Sequence, residues 1–521
     1  MKTAWLAAGA VFLVHAFGNA RSAFFRDELY FIMCGRHPQW GYVDQPPVVP
    51  LLAAATQVFG HSLFLLRLVP ALFATAGVFT TCLLAIEFGG GVFAQVLASM
   101  AFLFAGVLLG FGQIAAPDEV GLWTWPLLAL LVVRIIKGAN PRLWLIVGLV
   151  AGVSIQSKYT ILFFLASLFL GLLLTPERRI MRSVWFAAGC GVAMIVVLPN
   201  FVWQAHYGFP MWELLRAGQN GKNVVSSPPI FLFQQALTTN LFLSPIWIIG
   251  LMWFLRNRPY RFLGYAYIAL IVQMLLLHAK YYYPADVYPI LIAAGAMQIE
   301  AWTSHLGLLR KVVLAYALVL GGIFVPYTLA ILPERAFLAY QQWLIGFQFP
   351  RTALAHDPGG DIPLLPGVWA DMHGWPEFAA TVKEIYETLP PAQRAQAVVV
   401  AANFGEAAAI EFFAPGVPVI SYHNQYWLWG THGYSGDVVI AISGSTEQLF
   451  KKWALLGHTG NDIIGDFGNC GAKEHLFEHA KLVARFNVPY TLDWETGIPI
   501  LVCRGIRTPL AALWPNLKEY F

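Results

Sequence analysis

Apolar runs recur along residues 1–334, near 4–20, 68–86, 91–112, 120–136, 143–157, 160–175, 183–201, 236–255, 262–278, 284–301 and 312–332. A helix needs roughly 17–25 apolar residues to cross a bilayer. The pattern therefore predicts an α-helical polytopic membrane protein with about eleven spans. Two stretches are ambiguous by length. The stretch 143–175 reads as one helix interrupted at Gln156 and Lys158, or as two; 262–301 reads the same way around Lys280. Basic residues decide between these. Arg134, Lys137 and Arg142 form one cluster, Arg178, Arg179 and Arg182 a second, Arg256, Arg258 and Arg261 a third, and Arg310 with Lys311 a fourth. Short basic loops stay on the cytoplasmic side. An even number of crossings must separate neighbouring clusters, so each ambiguous stretch holds two passes, and the amino terminus with Lys2 is also inside.

The remaining connections then face outward. These are the loop 21–66, the junction at Asp118, the turn at Lys158, the loop 203–235, the turn from His278 to Tyr283, and everything after about residue 335. Within the first of them, Pro46 to Gly60 is apolar but too short and proline-rich to span, and is expected to lie in the interface. The tail changes pattern. Helix-like segments (Trp375–Leu389, Glu406–Phe413, Thr446–Leu456) alternate with short apolar strands (Ala397–Ala401, Val417–Ser421, Val438–Ile442, Ile498–Cys503). Such alternation predicts a small α/β domain. The chain thus divides into a transmembrane region, 1–334, and an extracytoplasmic α/β domain, 335–521. It carries no G-x-G-x-x-G and no phosphate-binding P-loop.

Composition agrees. The 521 residues are 58% hydrophobic and 12% charged, with mean hydropathy +0.61; a soluble protein is about 25% charged. Net charge is +4. The basic residues sit in short clusters between apolar runs, which excludes a nucleic-acid partner. The first run lacks a small-residue cleavage site and is expected to be retained as a helix. Of five cysteines, Cys82 and Cys190 fall within apolar runs, and Cys470 with Cys503 in the tail are candidates for a disulfide on an oxidising side.

Candidate chemistry lies in the outward connections. Arg26-Asp27-Glu28 follows the first run, Tyr42-Val-Asp44-Gln45-Pro46-Pro47 comes next, and Pro117-Asp118-Glu119 lies at a helix junction. Carboxylates at a membrane boundary are costly and mark function when they face a cavity. Asp27 and Glu28 are either a solvated helix-end pair or a general base for an acceptor hydroxyl or amine. Asp44 either caps an interfacial helix or points into the site, where it is also a candidate ligand for a divalent metal ion. Lys158 and Lys280 either snorkel or, with His278 and Tyr281-Tyr282-Tyr283, meet a lipid-linked phosphate; Arg67 is a further candidate. Trp203 and Tyr207 read as interface-belt residues, and His206 as a surface histidine.

Taken in order, these residues resemble the protein O-mannosyltransferase family of GT-C glycosyltransferases, whose bacterial branch includes the aminoarabinose transferase of lipid A. The resemblance rests on Arg26-Asp27-Glu28-Leu-Tyr30, Gly41-Tyr42-Val-Asp44-Gln45-Pro46-Pro47, Ala116-Pro117-Asp118, Ser157-Lys158-Tyr-Thr160, Trp203-Gln204-Ala-His206-Tyr-Gly-Phe-Pro210 and His278-Ala-Lys280-Tyr-Tyr-Tyr-Pro284. In the tail it rests on Ala402-Asn403-Phe-Gly405-Glu406 and His423-Asn424-Gln-Tyr426-Trp427. It implies a GT-C bundle in the bacterial inner membrane and a hexosyl- or pentosyltransferase. The donor would be a polyprenyl-phosphate-linked sugar, and the acceptor an envelope lipid, glycan or protein. It makes Asp27 the general base, with Asp118 and Glu28 as the other catalytic carboxylates, and Tyr42, Asp44, Lys158, His206, His278, Lys280 and Tyr282 substrate contacts. Gln45 stands where the aminoarabinose enzyme has a phosphate-binding lysine. A transporter or flippase for a lipid or sugar is the alternative; its buried charges belong near the bilayer midplane, whereas these cluster in loops.

Overall fold

The computed structural model describes residues 1–19, 21, 23–217, 226–345, 365–442, 477–492, 495 and 497–520. Each expected apolar run coincides with helix. Lys2–Asn19, Leu63–Glu87, Gly121–Ile136, Leu143–Ile155, Ile161–Leu173, Val184–His206, Ser244–Arg256, Arg261–Leu276, Tyr288–Trp302 and Gly307–Gly322 are single helices. The run 91–112 is instead two, Val92–Leu103 and Gly106–Phe111, broken at Phe104 and Ala105; 236–255 takes in the end of Pro228–Thr238 before Ser244–Arg256, and 312–332 adds the short helix Val325–Thr328. The stretches 143–175 and 262–301 are each two helices, as the basic clusters require. Four described helices are long and apolar enough to cross a membrane alone: Leu63–Glu87, Val184–His206, Arg258–Leu276 and Gly307–Thr328. A fifth arises if Ile161–Leu173 is joined to Pro176–Arg182, which turns from it by 113°. Most of the others are shorter than a straight crossing requires, so helix length does not carry the count of eleven.

The helices of the bundle enclose apolar cores. Val132, Ala293 and Phe262 are fully buried in the larger of them. Outward faces carry exposed Ile195, Leu198, Leu318 and Val319, as expected where lipid replaces water as the surroundings. Pro46 to Gly60 forms the short helix Val48–Gln57, followed by highly exposed Val58 and Phe59.

The tail holds a five-stranded sheet of β1 (Ala397–Ala401), β2 (Val419–Ser421), β3 (Val438–Ile442), β4 (Phe477–Phe486) and β5 (Ile498–Ile506), in the order β2-β1-β3-β5-β4. The first three are parallel, with Val399 beside Val419 and Ile440. β5 runs antiparallel to β3 (Ile440 opposite Val502) and to β4. The helices Trp375–Thr388 and Phe404–Phe413 cover one face and Leu510–Leu517 the other, so β1 and β3 are buried on both sides. Strand β4 was not foreseen. Its sequence, FEHAKLVARF, is an exposed edge strand with charges outward, and its alternation is too polar to read as an apolar run. The expected helix Thr446–Leu456 and the residue Cys470 lie outside the described residues, and the Cys470–Cys503 pairing with them.

The sheet domain docks on the bundle. The helices Arg26–Arg36 and Phe404–Phe413 share one core, in which Leu29, Ile32, Ala408 and Ile410 are fully buried. That contact positions the candidate site.

Candidate active site

The triplet Arg26-Asp27-Glu28 opens the helix Arg26–Arg36, and its three side chains diverge. Glu28 turns into the bundle. Its carboxylate takes both Nε (2.8 Å) and Nη2 (2.7 Å) of Arg67, and accepts the N–H groups of Ala115 and Phe25. Both side chains of this ion pair are 0% exposed. Arg26 turns the other way, into the tail domain, where it meets Asp371 at 3.2 Å and Glu495 at 3.6 Å. Asp27, between two anchored neighbours, keeps 35% of its side chain exposed. Of the two adjacent acids, only Asp27 is placed to reach a substrate. Glu28 differs from the catalytic expectation because all its acceptor sites serve the scaffold, and Arg67 differs from the phosphate expectation because it is the partner.

The tail motif Asn403-Phe-Gly405-Glu406 explains the Arg26 anchor. Asn403 caps its helix by accepting the N–H of Glu406 (3.0 Å), and the Glu406 carboxylate reaches past the cap to accept the N–H of Ala402 (2.8 Å). The aliphatic stem of Arg26 runs against the Cα of Gly405, a path any side chain there would block. Its guanidinium lies 5.8 Å from the Phe404 ring centre.

Around Asp118 the structure gathers four of the expected residues. Lys158 forms an ion pair with Asp118. Its ammonium also lies over the rings of Tyr283 (4.9 Å) and Tyr282 (5.6 Å), and Lys280 reaches the same Tyr282 ring at 5.9 Å. Burial pushes the Tyr282 phenol well above its ordinary pKa, and the charges of Tyr283, Asp118, Tyr281 and Asp27 add to that. The charges of Asp27 and Asp118 both act on Tyr282. A small cavity beside them is lined by Ser154, Ser157, Lys158, Thr160 and Asp286.

Other expected contacts fall elsewhere. Tyr42 is fully buried. Its hydroxyl donates to the Cys34 carbonyl (2.7 Å) and accepts the N–H of Gln39 (3.2 Å), so it closes the C-terminal end of the preceding helix, Arg26–Arg36, rather than facing a ligand. His206 is exposed at the end of Val184–His206, edge-on to Tyr207. His278 is exposed in its turn at a left-handed φ of 50°.

Asp44 does enter a network. It accepts from the Tyr30 hydroxyl (2.9 Å) and from the Asn424 amide of the tail (3.3 Å). Both partners are donors, so each carboxylate oxygen already faces a proton. Among the described residues no group of three His, Cys, Asp or Glu side chains is placed to hold a metal ion. A divalent cation at Asp44 does not fit this donor set.

Comparison with known proteins identifies the architecture. Two crystal structures of ArnT from Cupriavidus metallidurans, in the apo state and bound to undecaprenyl phosphate, superimpose with TM-scores of 0.58 and 0.57. Each alignment covers 95% of this chain and 97% of that one, at 15% and 16% identity. The chain shares the fold of these two structures over nearly its whole length. A family model described as dolichyl-phosphate-mannose-protein mannosyltransferase matches residues 44–203. The lipid A galacturonosyltransferase RgtD of Rhizobium johnstonii is 26% identical over 187 residues, which are 35% of this chain and 39% of that protein. The match thus spans about two fifths of that relative's length.

Several residues around the candidate site were not singled out from sequence. Asp286 lies two positions after the His278–Pro284 motif; it is buried, and its Oδ1 has no hydrogen-bond partner among the described residues. A lone acid opening an apolar run was the available signal. Trp203 and Gln204 read as belt and loop residues, yet they clamp the loop before Asp44. Trp203 Nε1 donates to Gln39 Oε1 (2.9 Å), Asn200 to the Trp40 carbonyl (2.8 Å) and Gln204 to the Tyr42 carbonyl (3.4 Å). Gly41 must be glycine there, since a Cβ would stand 2.6 Å from Asn200 Nδ2.

The Arg26 anchor has a pH signature. One guanidinium cannot balance Asp371, Glu406 and Glu495 when all are ionised and buried. Burial pushes Glu406 from 4.5 to about 8, and pushes Asp371 and Glu495 upward as well. The folded state therefore holds protons that the unfolded chain has released, and stability falls as pH rises. Heat unfolding in detergent should move to lower temperature as pH rises from 4.5 through about 8. Glu406→Gln, which has no proton to lose, should flatten the slope. A stability that rises across this interval would contradict the assignment.

Proposed function

We propose that the chain is a membrane glycosyltransferase that moves a sugar from a polyprenyl-phosphate-linked donor to a lipid acceptor on the outer face of the bacterial inner membrane. The observation that carries the reading is the Asp118–Lys158–Tyr282–Lys280 group, beside an accessible carboxylate, Asp27, whose charge also acts on Tyr282. A donor phosphate needs cations, and two lysines meet there; an acceptor hydroxyl needs a base, and Asp27 is the acid left accessible in its triplet. The undecaprenyl phosphate bound to ArnT, the lipid left when such a donor gives up its sugar, and the lipid A in the RgtD name agree with both halves.

In this reading the acceptor oxygen attacks the anomeric carbon as Asp27 takes its proton. The carbon–oxygen bond to phosphate breaks, and the polyprenyl phosphate leaves with the electron pair. Lys158 and Lys280 stabilise the charge that develops on it. A single displacement inverts the anomeric centre. Asp118 holds Lys158 until phosphate arrives. Asp44 orients the sugar or the acceptor. No step uses a nucleotide, and none is routed through a metal. The 335–521 domain would be periplasmic, with eleven crossings starting inside.

Donor binding tests the phosphate half. A hydrogen bond to a charged group contributes about 1.5–3 kcal/mol. Lys158→Met should therefore weaken undecaprenyl phosphate binding by roughly tenfold to a hundredfold, with acceptor affinity changed much less. Unchanged donor affinity would remove the phosphate from this face, and the reading with it.

A further inference from the structure

The motif His423-Asn424-Gln425-Tyr426-Trp427 belongs to the sheet domain, yet two of its residues bond to the bundle. The Asn424 amide donates to Asp44 Oδ2 at 3.3 Å, and the Gln425 side-chain oxygen accepts the N–H of Val43 at 3.1 Å. The Gln425 N–H donates to the Tyr30 hydroxyl at 3.4 Å, and that hydroxyl donates in turn to Asp44 Oδ1. Asp44 is thus gripped on one oxygen directly from the tail, and on the other through a tyrosine that the tail also holds. Asn424 and Gln425 are buried. Asn424 has φ 48° and ψ −128°, a strained conformation for a residue with a side chain, of the kind that persists where the surroundings over-determine it. The restraint is visible. The Asn424 N–H donates to the Glu519 carbonyl (2.9 Å), the Glu519 N–H to the Tyr422 carbonyl (3.1 Å), and the Phe404 N–H to His423 Nδ1 (3.4 Å).

We infer that Asn424 and Gln425 are positioning residues of the transfer site, so that the sheet domain sets the orientation of Asp44. The inference rests on the transferase reading, because it gives Asp44 a substrate to orient. The alternative, that the contact only glues the two parts together, is weaker. Apolar burial between Arg26–Arg36 and Phe404–Phe413 already joins them, and glue needs neither a strained backbone nor both oxygens of one carboxylate. A free Asp44 would rotate about its side-chain torsions and lose turnover rather than fold.

Two substitutions at Asn424 separate the possibilities. Asn424→Gly removes the amide and relaxes the backbone, since glycine adopts positive φ readily. Loss of a charge-assisted hydrogen bond should lower kcat/KM about tenfold, with the unfolding temperature close to that of the parent. Asn424→Asp keeps size and shape and tolerates positive φ, but sets a second carboxylate against Asp44. Like charges this close share a proton. This variant should be slower than Asn424→Gly near neutral pH and recover as pH is lowered, when the pair holds one proton. The titratable neighbours of that pair are Tyr30 and Cys34 on the bundle side and His423 on the tail side, and all three are unchanged in both variants. The assay uses the full-length protein in lipid nanodiscs with a polyprenyl-phosphate sugar and lipid A. Activity in the order Asn, Gly, Asp with the shifted pH profile supports the inference. An Asn424→Asp protein with the activity and pH profile of the parent overturns it, while leaving the transferase reading intact. A parent protein that transfers no sugar overturns that reading and this inference together.

Discussion

Replacing Asp27 by asparagine should abolish transfer while the protein stays folded. The amide is nearly isosteric and keeps its place between Arg26 and Glu28, but it cannot accept the acceptor's proton. A positioned general base contributes roughly 10²–10⁴-fold, and the loss should fall in that range, with undecaprenyl phosphate affinity little changed. Folding is protected because the two neighbours carry the anchoring, Glu28 on Arg67 and Arg26 on Asp371. Residual activity within about tenfold of the parent would move the base elsewhere, and Asp118 would be the next carboxylate to examine.

The second large effect is on stability. Arg67→Met should destabilise the protein by about 3–5 kcal/mol, because removing one partner of a buried ion pair leaves the other charge unpaired. Glu28 would lose both guanidinium contacts and keep the N–H groups of Ala115 and Phe25, too little for a fully buried carboxylate. The same change also releases the Ala23 carbonyl, which accepts from Arg67 Nη2 at 2.8 Å. Unfolding in detergent measures this directly. The double variant Glu28→Gln with Arg67→Met should recover part of the loss, since neither side chain is then charged. A normal unfolding temperature together with weakened donor binding would instead make Arg67 a phosphate ligand.

The positions of the helices were legible because lipid-facing and core-facing residues are both apolar and basic clusters mark four of the connections. The break at Phe104 and Ala105 was not, since both residues fit an uninterrupted apolar run. In the tail, β1 and β3 stood out as short valine-rich runs buried on both faces, whereas β4 hid behind its outward charges. For the site, residue type and side of the membrane brought Asp118, Lys158, Lys280 and Tyr282 into one list, and the structure places them around one ring. What letters along a chain cannot tell is which way neighbouring side chains turn. Asp27 and Glu28 look interchangeable until Arg67, 39 residues further on, selects Glu28. Tyr42 looks like a substrate contact until its hydroxyl is found closing the end of the preceding helix. Asn424 and Gln425 were legible only as family resemblance, because their partners Asp44 and Val43 lie some 380 residues earlier.

The central claim is that this fold cuts the bond between a sugar and a polyprenyl phosphate and passes the sugar to a lipid. The most direct measurement places the purified protein in vesicles with undecaprenyl-phosphate-linked sugars and lipid A, and follows both lipids by mass spectrometry. The account predicts lipid A heavier by one sugar residue and an equal amount of released undecaprenyl phosphate, both absent with Asp27→Asn. Donor that crosses the vesicle membrane with its sugar still attached, and lipid A of unchanged mass, would contradict it and identify a flippase instead.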